Sequence, residues 1–200
     1  MILDFTQKIN TYETDILNNC NKIFSYICPK CGATHYWIRH GYYSRSICVI
    51  ENNSYISDVR LELLRLKCTS CDSTHAILPA DVIPYKIYSI SCIVFLTTQH
   101  FTVGNSVIDI CAEFNISFQL MYLFIHYFLT FIAPAILCLR VIFDAIASDN
   151  AVALSTISSI GVINFSIKFF SWAKTPFFMT KFRNLLSKSI FVGAYFSPPT

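Results

Sequence analysis

Two stretches early in the chain alternate hydrophobic and polar side chains. "THYWIRHGYYSRSICVI" (34–50) and "SYISDVRLELLRLKC" (54–68) are rich in Tyr, Ile, Val and Leu, with "ENNS" between them as a turn. The pattern predicts paired strands. After "THAILPADVIPYKIYS" the rhythm changes: Pro79 and Pro84 punctuate the strand region, and the apolar period moves from two to about 3.6 residues. Helices are expected near 89–101 and 106–114, and a third from about Ser117. Ser106 and Ser117 suit N-cap positions, Asp109 suits a first helical turn, and Asn115 tolerates the left-handed turn conformation between two helices.

The third helix begins inside "FNISFQLMYLFIHYFLTFIAPAILCL", residues 114–139, which contain no Asp, Glu, Lys or Arg. A run of about 18 or more apolar residues is the pattern of a membrane span. Asn115, Gln119, His126 and Pro134 interrupt it, and polar side chains are costly in hydrocarbon. Pro134 is expected to end the helix. "AVALSTISSIGVINFSI" (151–167) is a further uncharged run, shorter and rich in Ser.

Composition sharpens this picture. Hydrophobic residues make up 54 % of the 200-residue chain and charged residues 14 %, against about 25 % charged in ordinary soluble domains. Disorder is excluded; a large buried core or a bilayer must absorb the apolar surface. The net charge of +3 is too small to identify a nucleic-acid binder. From Asn150 onward, however, Lys168, Lys174, Lys181, Arg183 and Lys188 face no acidic residue in the sequence. The aromatic, basic tail could meet DNA phosphates or an anionic membrane, or pack Phe177, Phe182 and Leu186 on the core.

"CPKCGATH" (28–35) and "CTSCDSTH" (68–75) form an internal repeat, Cys-x-x-Cys-x-x-Thr-His. Each Cys-x-x-Cys turn can aim two thiolates at one ion about 2.3 Å away. Together Cys28, Cys31, Cys68 and Cys71 form the four-sulfur set of a structural zinc site, with no open position for a catalytic water. Thirty-six residues separate Cys31 from Cys68, and pairing the predicted strands would close that gap. His35 and His75 follow their knuckles symmetrically and are expected to pack or hydrogen-bond nearby rather than replace a thiolate. Cys20, Cys48, Cys92, Cys111 and Cys138 sit singly among apolar residues and read as small buried hydrophobes. The opening residues lack a secretory pattern, which fits reduced thiols and metal ligation.

"SVIDICAEFNISFQLMYLF" resembles the helix-turn-helix of bacterial insertion-sequence transposases and their stand-alone relatives. Ser106, Val107, Ile110, Phe114, Ile116, Ser117 and Tyr122 match that pattern, with Asn115 at the turn glycine. "ICPKCGATHYWIRHGYYSR" with "RLKCTSCDSTHAILP" is similar to the zinc-ribbon front end of such proteins; the resemblance covers roughly residues 25–130. It implies double-stranded DNA as partner. The third helix departs from the family, carrying Phe118, Leu120, Met121, Leu123 and Phe124 where polar or basic residues are usual. Gln119, Tyr122, His126 and Thr130 nevertheless share one helical stripe, and Gln suits adenine as Tyr suits a phosphate. Arg39, Arg45 and Lys67 on the ribbon could add phosphate contacts if they share a face.

The expected fold is therefore α+β. Residues 1–24 form a helical lead-in, 25–86 a β-rich zinc ribbon, 87–135 an all-α helix-turn-helix-like region, and 136–200 a hydrophobic, basic tail. No enzyme is expected, because Asp144 and Asp149 are the only acids after the helix-turn-helix and a transposase core needs several convergent carboxylates. The expectation is a cytoplasmic, non-catalytic, zinc-containing DNA-binding protein related to a mobile-element protein, open to homo-oligomerisation and without a small-molecule substrate. The alternative is a small inner-membrane protein whose cytoplasmic zinc ribbon contacts other proteins.

Overall fold

The computed structural model describes residues 2–4, 9, 11–18, 24–174 and 176–179. The fold is α+β, as the periodicity predicts. A long hairpin dominates the first half: strand β2 spans Trp37–Glu51 and β3 spans Ser54–Cys68. Glu51 pairs with Ser54, so Asn52 and Asn53 alone make the turn, with φ of 49° and 61°. Two consecutive left-handed residues form the type I′ turn, whose twist matches that of the strands; Asn tolerates this conformation better than most residues. Register shifts between Arg39 and Gly41 and between Ile47 and Val49 mark irregularities in β2.

Two short strands complete a sheet of order β1-β4-β3-β2: β1 (Ile2–Asp4) runs parallel to β4 (Thr74–Pro79), which is antiparallel to β3. Helix α1 (Tyr12–Asn18) packs against β3. Its fully buried Tyr12 accepts a hydrogen bond from the Leu64 amide at 3.2 Å and donates one to the Ile77 carbonyl at 2.9 Å. One phenol thus ties the lead-in helix to both β3 and β4. Only part of the expected helical lead-in is helix, since β1 precedes it.

The chain then zips onto β2 before turning helical. The Cys48 amide donates to Ile87 at 2.7 Å, and the Ser89 amide returns to Cys48 at 3.0 Å. Helix α2 (Ile90–Thr98) starts there, with the Ser89 hydroxyl accepting from the Cys92 amide. A single π-helical turn, Gln99–Val103, follows and ends at left-handed Gly104; the periodicity did not foretell it. Helix α3 (Val107–Phe114) is capped by Ser106, closes on Asn115 at φ 50° and ψ 47°, and gives way to α4 (Phe118–Phe143), capped by Ser117. Helices α5 (Asn150–Ile160) and α6 (Val162–Ala173) complete the described chain and meet at a 102° bend at Gly161.

Helix α4 is the spine of this half. Met121, Phe124, Phe128, Phe131, Ala135 and Cys138 recur every three or four residues and are all buried in one cluster with α2, α3, α5 and α6. Pro134 does not end the helix; it lies inside it and is buried. A proline within a helix costs about 3 kcal/mol, and the apolar stripe buried on both sides of Pro134 offsets that cost. Among the described residues α4 alone is long and apolar enough to cross a membrane as a single helix, whereas the second uncharged run is broken by the bend. Cys48, Cys92, Cys111 and Cys138 are buried free thiols. Cys20, Lys181, Phe182, Arg183, Leu186 and Lys188 lie outside the described residues.

Phe124 has no solvent exposure, while Tyr122 on the same helix is 59 % exposed. Phe124→Ala should therefore cost about 3–5 kcal/mol and Tyr122→Ala less than about 0.5 kcal/mol in chemical denaturation.

Candidate metal centre

Antiparallel pairing places the start of β2 beside the end of β3, with Trp37 opposite Cys68. The two Cys-x-x-Cys turns therefore meet at the open end of the hairpin, despite their separation in sequence. Thr69 stitches them directly: its amide and its hydroxyl both donate to the Tyr36 carbonyl, at 2.8 and 3.3 Å. The sulfurs of Cys28, Cys31, Cys68 and Cys71 all lie within 4.8 Å of one another. Two cross-knuckle pairs, Cys28–Cys71 and Cys31–Cys68, are each 3.7 Å apart. A regular tetrahedron with bonds of about 2.3 Å has edges of about 3.8 Å, so the sulfurs already stand near the spacing a tetrahedral ion requires. The residues fit a metal ion.

Each turn is built the same way. In the first, the Gly32 amide donates to the Cys28 carbonyl at 2.9 Å; in the second, the Asp72 amide donates to the Cys68 carbonyl at 2.9 Å. Gly32 and Asp72 are equivalent in the repeat and both left-handed, at φ 74° and 62°. Glycine adopts that conformation freely, whereas Asp is strained there and is held by an ion pair with Lys67 at 2.8 Å.

Surrounding donors prepare the sulfurs for a cation. The Ser73 hydroxyl and amide lower the Cys71 thiol to about 6. Burial pushes Cys28 upward, but the amides of Cys31 and Lys30 outweigh it and the net shift is downward. At Cys31 the Ala33 amide works downward, yet desolvation and the neighbouring sulfurs prevail and raise the thiol to about 11. Donors at Ser73 favour the Cys71 thiolate, whereas desolvation and the neighbouring sulfurs hold the Cys31 proton.

The two histidines part company. His75 is buried in β4, its Nε2 lies 3.6 Å from the Cys28 sulfur, and its ring meets Trp37 edge-on with centroids 5.7 Å apart. The Trp37 indole in turn donates to the Tyr26 carbonyl at 2.8 Å. His75 is thus placed to hydrogen-bond and orient the Cys28 sulfur, while burial lowers its own affinity for a proton. His35 is exposed and left-handed, at φ 65°. The repeat makes them equivalent, but only the second knuckle leads into an interior strand. Ser73 and Trp37 were not foreseen. The break in the repeat, Ser73 opposite Ala33, was the available signal for the first.

The residues proposed for DNA scatter more widely. Arg45 pairs with Leu61 and Arg39 with Leu66, five residues apart on β3, so the two arginines point to opposite faces. Arg39 donates to the Ile16 carbonyl, and Arg45 is half-buried and donates to the Ile83 carbonyl at 3.0 Å. Lys67 shares the Arg45 face but is engaged with Asp72. On α4, Ser117 is the cap, and Gln119, Tyr122, His126 and Thr130 are all exposed along one stripe.

Residues 28–112 match a family model described as a domain of unknown function, DUF6431. The matched stretch begins at the first metal-site cysteine and ends within α3. No curated protein and no solved structure matches the chain.

A tetrathiolate site makes two demands that can be measured. His75→Ala should weaken metal binding about 10- to 100-fold without changing one-to-one stoichiometry, whereas Cys31→Ser should abolish tetrahedral sulfur-to-metal charge transfer in a Co²⁺ titration. Binding must also release protons, because the metal takes thiolates. Between about 6 and about 11 at least the Cys31 proton is displaced, so affinity should climb as pH rises. Below about 6 Cys71 holds a proton too, and affinity should fall more steeply.

Proposed function

We propose that this chain is a non-catalytic DNA-binding protein, built from a zinc ribbon and a helix-turn-helix and related to the front end of transposases. The zinc reading draws on the donor set: four sulfurs near tetrahedral spacing suit Zn²⁺, which would complete the ribbon and supply folding free energy rather than chemistry. Holding the ion would fall to Cys28, Cys31, Cys68 and Cys71, with His75 orienting the Cys28 sulfur.

The observation that carries the DNA reading is the junction of α3 and α4. A short helix capped by Ser106, one left-handed residue at Asn115 and a second helix capped by Ser117 follow the helix-turn-helix plan. On α4 the apolar stripe is buried and the stripe of Gln119, Tyr122, His126 and Thr130 is exposed, as a helix laid in a groove requires. This stripe has no cation, and Asp109 and Glu113 are exposed on α3. Phosphate contacts therefore fall to the ribbon face of Arg45 and Arg65 and to the basic tail. A cytoplasmic location accompanies this reading.

A second reading follows from the length of α4, which suffices for a membrane span. Its outward face is mixed: Gln119, Tyr122, His126, Thr130 and Arg140 would meet lipid beside the exposed Phe118, Leu129 and Ile142. Retention of the protein in the pellet after carbonate extraction would favour the bilayer.

Binding to random duplex DNA, followed by fluorescence anisotropy, should weaken steeply between 50 and 200 mM salt through counterion release. Tyr122→Ala should reduce duplex affinity by a further fivefold or so, equivalent to about 1 kcal/mol, with metal content unchanged. Salt-independent binding, or none at low salt, would reject DNA as the partner.

A further inference from the structure

A cleft of about 240 Å³ opens on the ribbon beside the metal centre, lined by Tyr43, Arg65, Thr74, His75, Ala76 and Tyr85. It is smaller than the roughly 300–1,000 Å³ of drug-sized ligand sites, so it suits one planar group. Arg65 lies 6.0 Å from the centre of the Tyr43 ring and donates to the Thr74 hydroxyl at 3.2 Å. Arg45, on the same sheet face, anchors the loop bearing Tyr85 through the Ile83 carbonyl at 3.0 Å. Arg65 is exposed at the cleft and is paired with no carboxylate among the described residues. An exposed guanidinium beside a tyrosine ring offers an arriving anion a charge-assisted hydrogen bond.

Tyr85 is the second observation. It is 82 % exposed and left-handed at φ 63°, a conformation that is a strained exception for a bulky side chain. Its loop is nonetheless well held: the Lys86 amide donates to Ile83 at 3.2 Å, the Lys86 ammonium donates to the Tyr127 hydroxyl at 2.7 Å, and the Cys48 amide donates to Ile87. Rigid neighbours thus hold a strained aromatic ring out over the cleft.

We infer that this cleft binds one unpaired nucleotide of single-stranded DNA, the base stacking on Tyr85 and the phosphate accepting from Arg65. The ring can stack only on a base that is not already sandwiched in a duplex, and stacking tolerates any sequence. The choice of nucleic acid as ligand class rests on the proposed function, but the site is separate from the α4 stripe and is tested separately.

The test uses the full-length, zinc-loaded protein and labelled oligo(dT). Tyr85→Gly removes the ring and relieves the left-handed strain, so the melting temperature should hold or rise while oligo(dT) affinity falls about tenfold. Tyr85→Trp should retain binding. Arg65→Ala should lower the slope of log affinity against log salt by about 0.7, the share of one single-strand phosphate. Unchanged affinity in both Tyr85→Gly and Arg65→Ala overturns the inference, as does binding of an acidic peptide without oligo(dT). If oligo(dT) fails while Tyr122-dependent duplex binding persists, this inference falls alone. If oligo(dT) binds through Tyr85 and duplex does not, it stands and the duplex reading falls.

Discussion

Four sulfurs brought within 4.8 Å of one another are the constraint on which the ribbon depends. Each Cys-x-x-Cys turn is a local device whose amides point inward, but the two turns meet only because a 15-residue strand leaves the first and a 15-residue strand returns to the second. Their convergence crowds four titratable sulfurs together. One thiol is driven down to about 6 and another up to about 11. A divalent cation held by these sulfurs would couple metal binding to folding of the hairpin end.

The helical half solves a different problem. With few charges available, it buries apolar surface by wrapping four helices around α4, and aromatic rings do much of the packing. Phe131, Phe165, Phe169, Phe177 and Phe178 meet one another edge-on or tilted with centroids 4.1 to 6.1 Å apart. Helix α4 is apolar both where it packs in this cluster and at the exposed Phe118, Leu129 and Ile142. The polar stripe of α4 lies on the side the bundle leaves bare.

The two halves are joined through backbone rather than through a linker. Cys48, next to the second irregularity of β2, exchanges hydrogen bonds with Ile87 and Ser89, and Ser89 then caps α2. Asp81 reinforces the joint: its backbone carbonyl accepts from the Ile90 amide at 2.9 Å, and its carboxylate accepts from the Ser91 amide and hydroxyl at 2.8 and 2.9 Å. Burial raises that carboxyl to about 6. The same segment presents Tyr85, so the element that docks the helices also shapes the cleft on the ribbon.

Local chemistry made much of this legible in advance. Alternation located β2 and β3, two asparagines specified their turn, serine caps and Asn115 set the ends of α3 and the start of α4, and spacing named the four cysteines that converge. These features depend on neighbours in sequence, where sterics and hydrogen bonding act over a few residues. Long-range packing decided the rest. It carried α4 through Pro134, buried His75 while leaving its repeat partner His35 in solvent, and sent Arg39 and Arg45 to opposite faces across an irregular strand. It also set Tyr85 in a strained conformation at the cleft that Arg65 lines. None of these outcomes is encoded by spacing, because each depends on which surface the folded chain happens to lay against that residue.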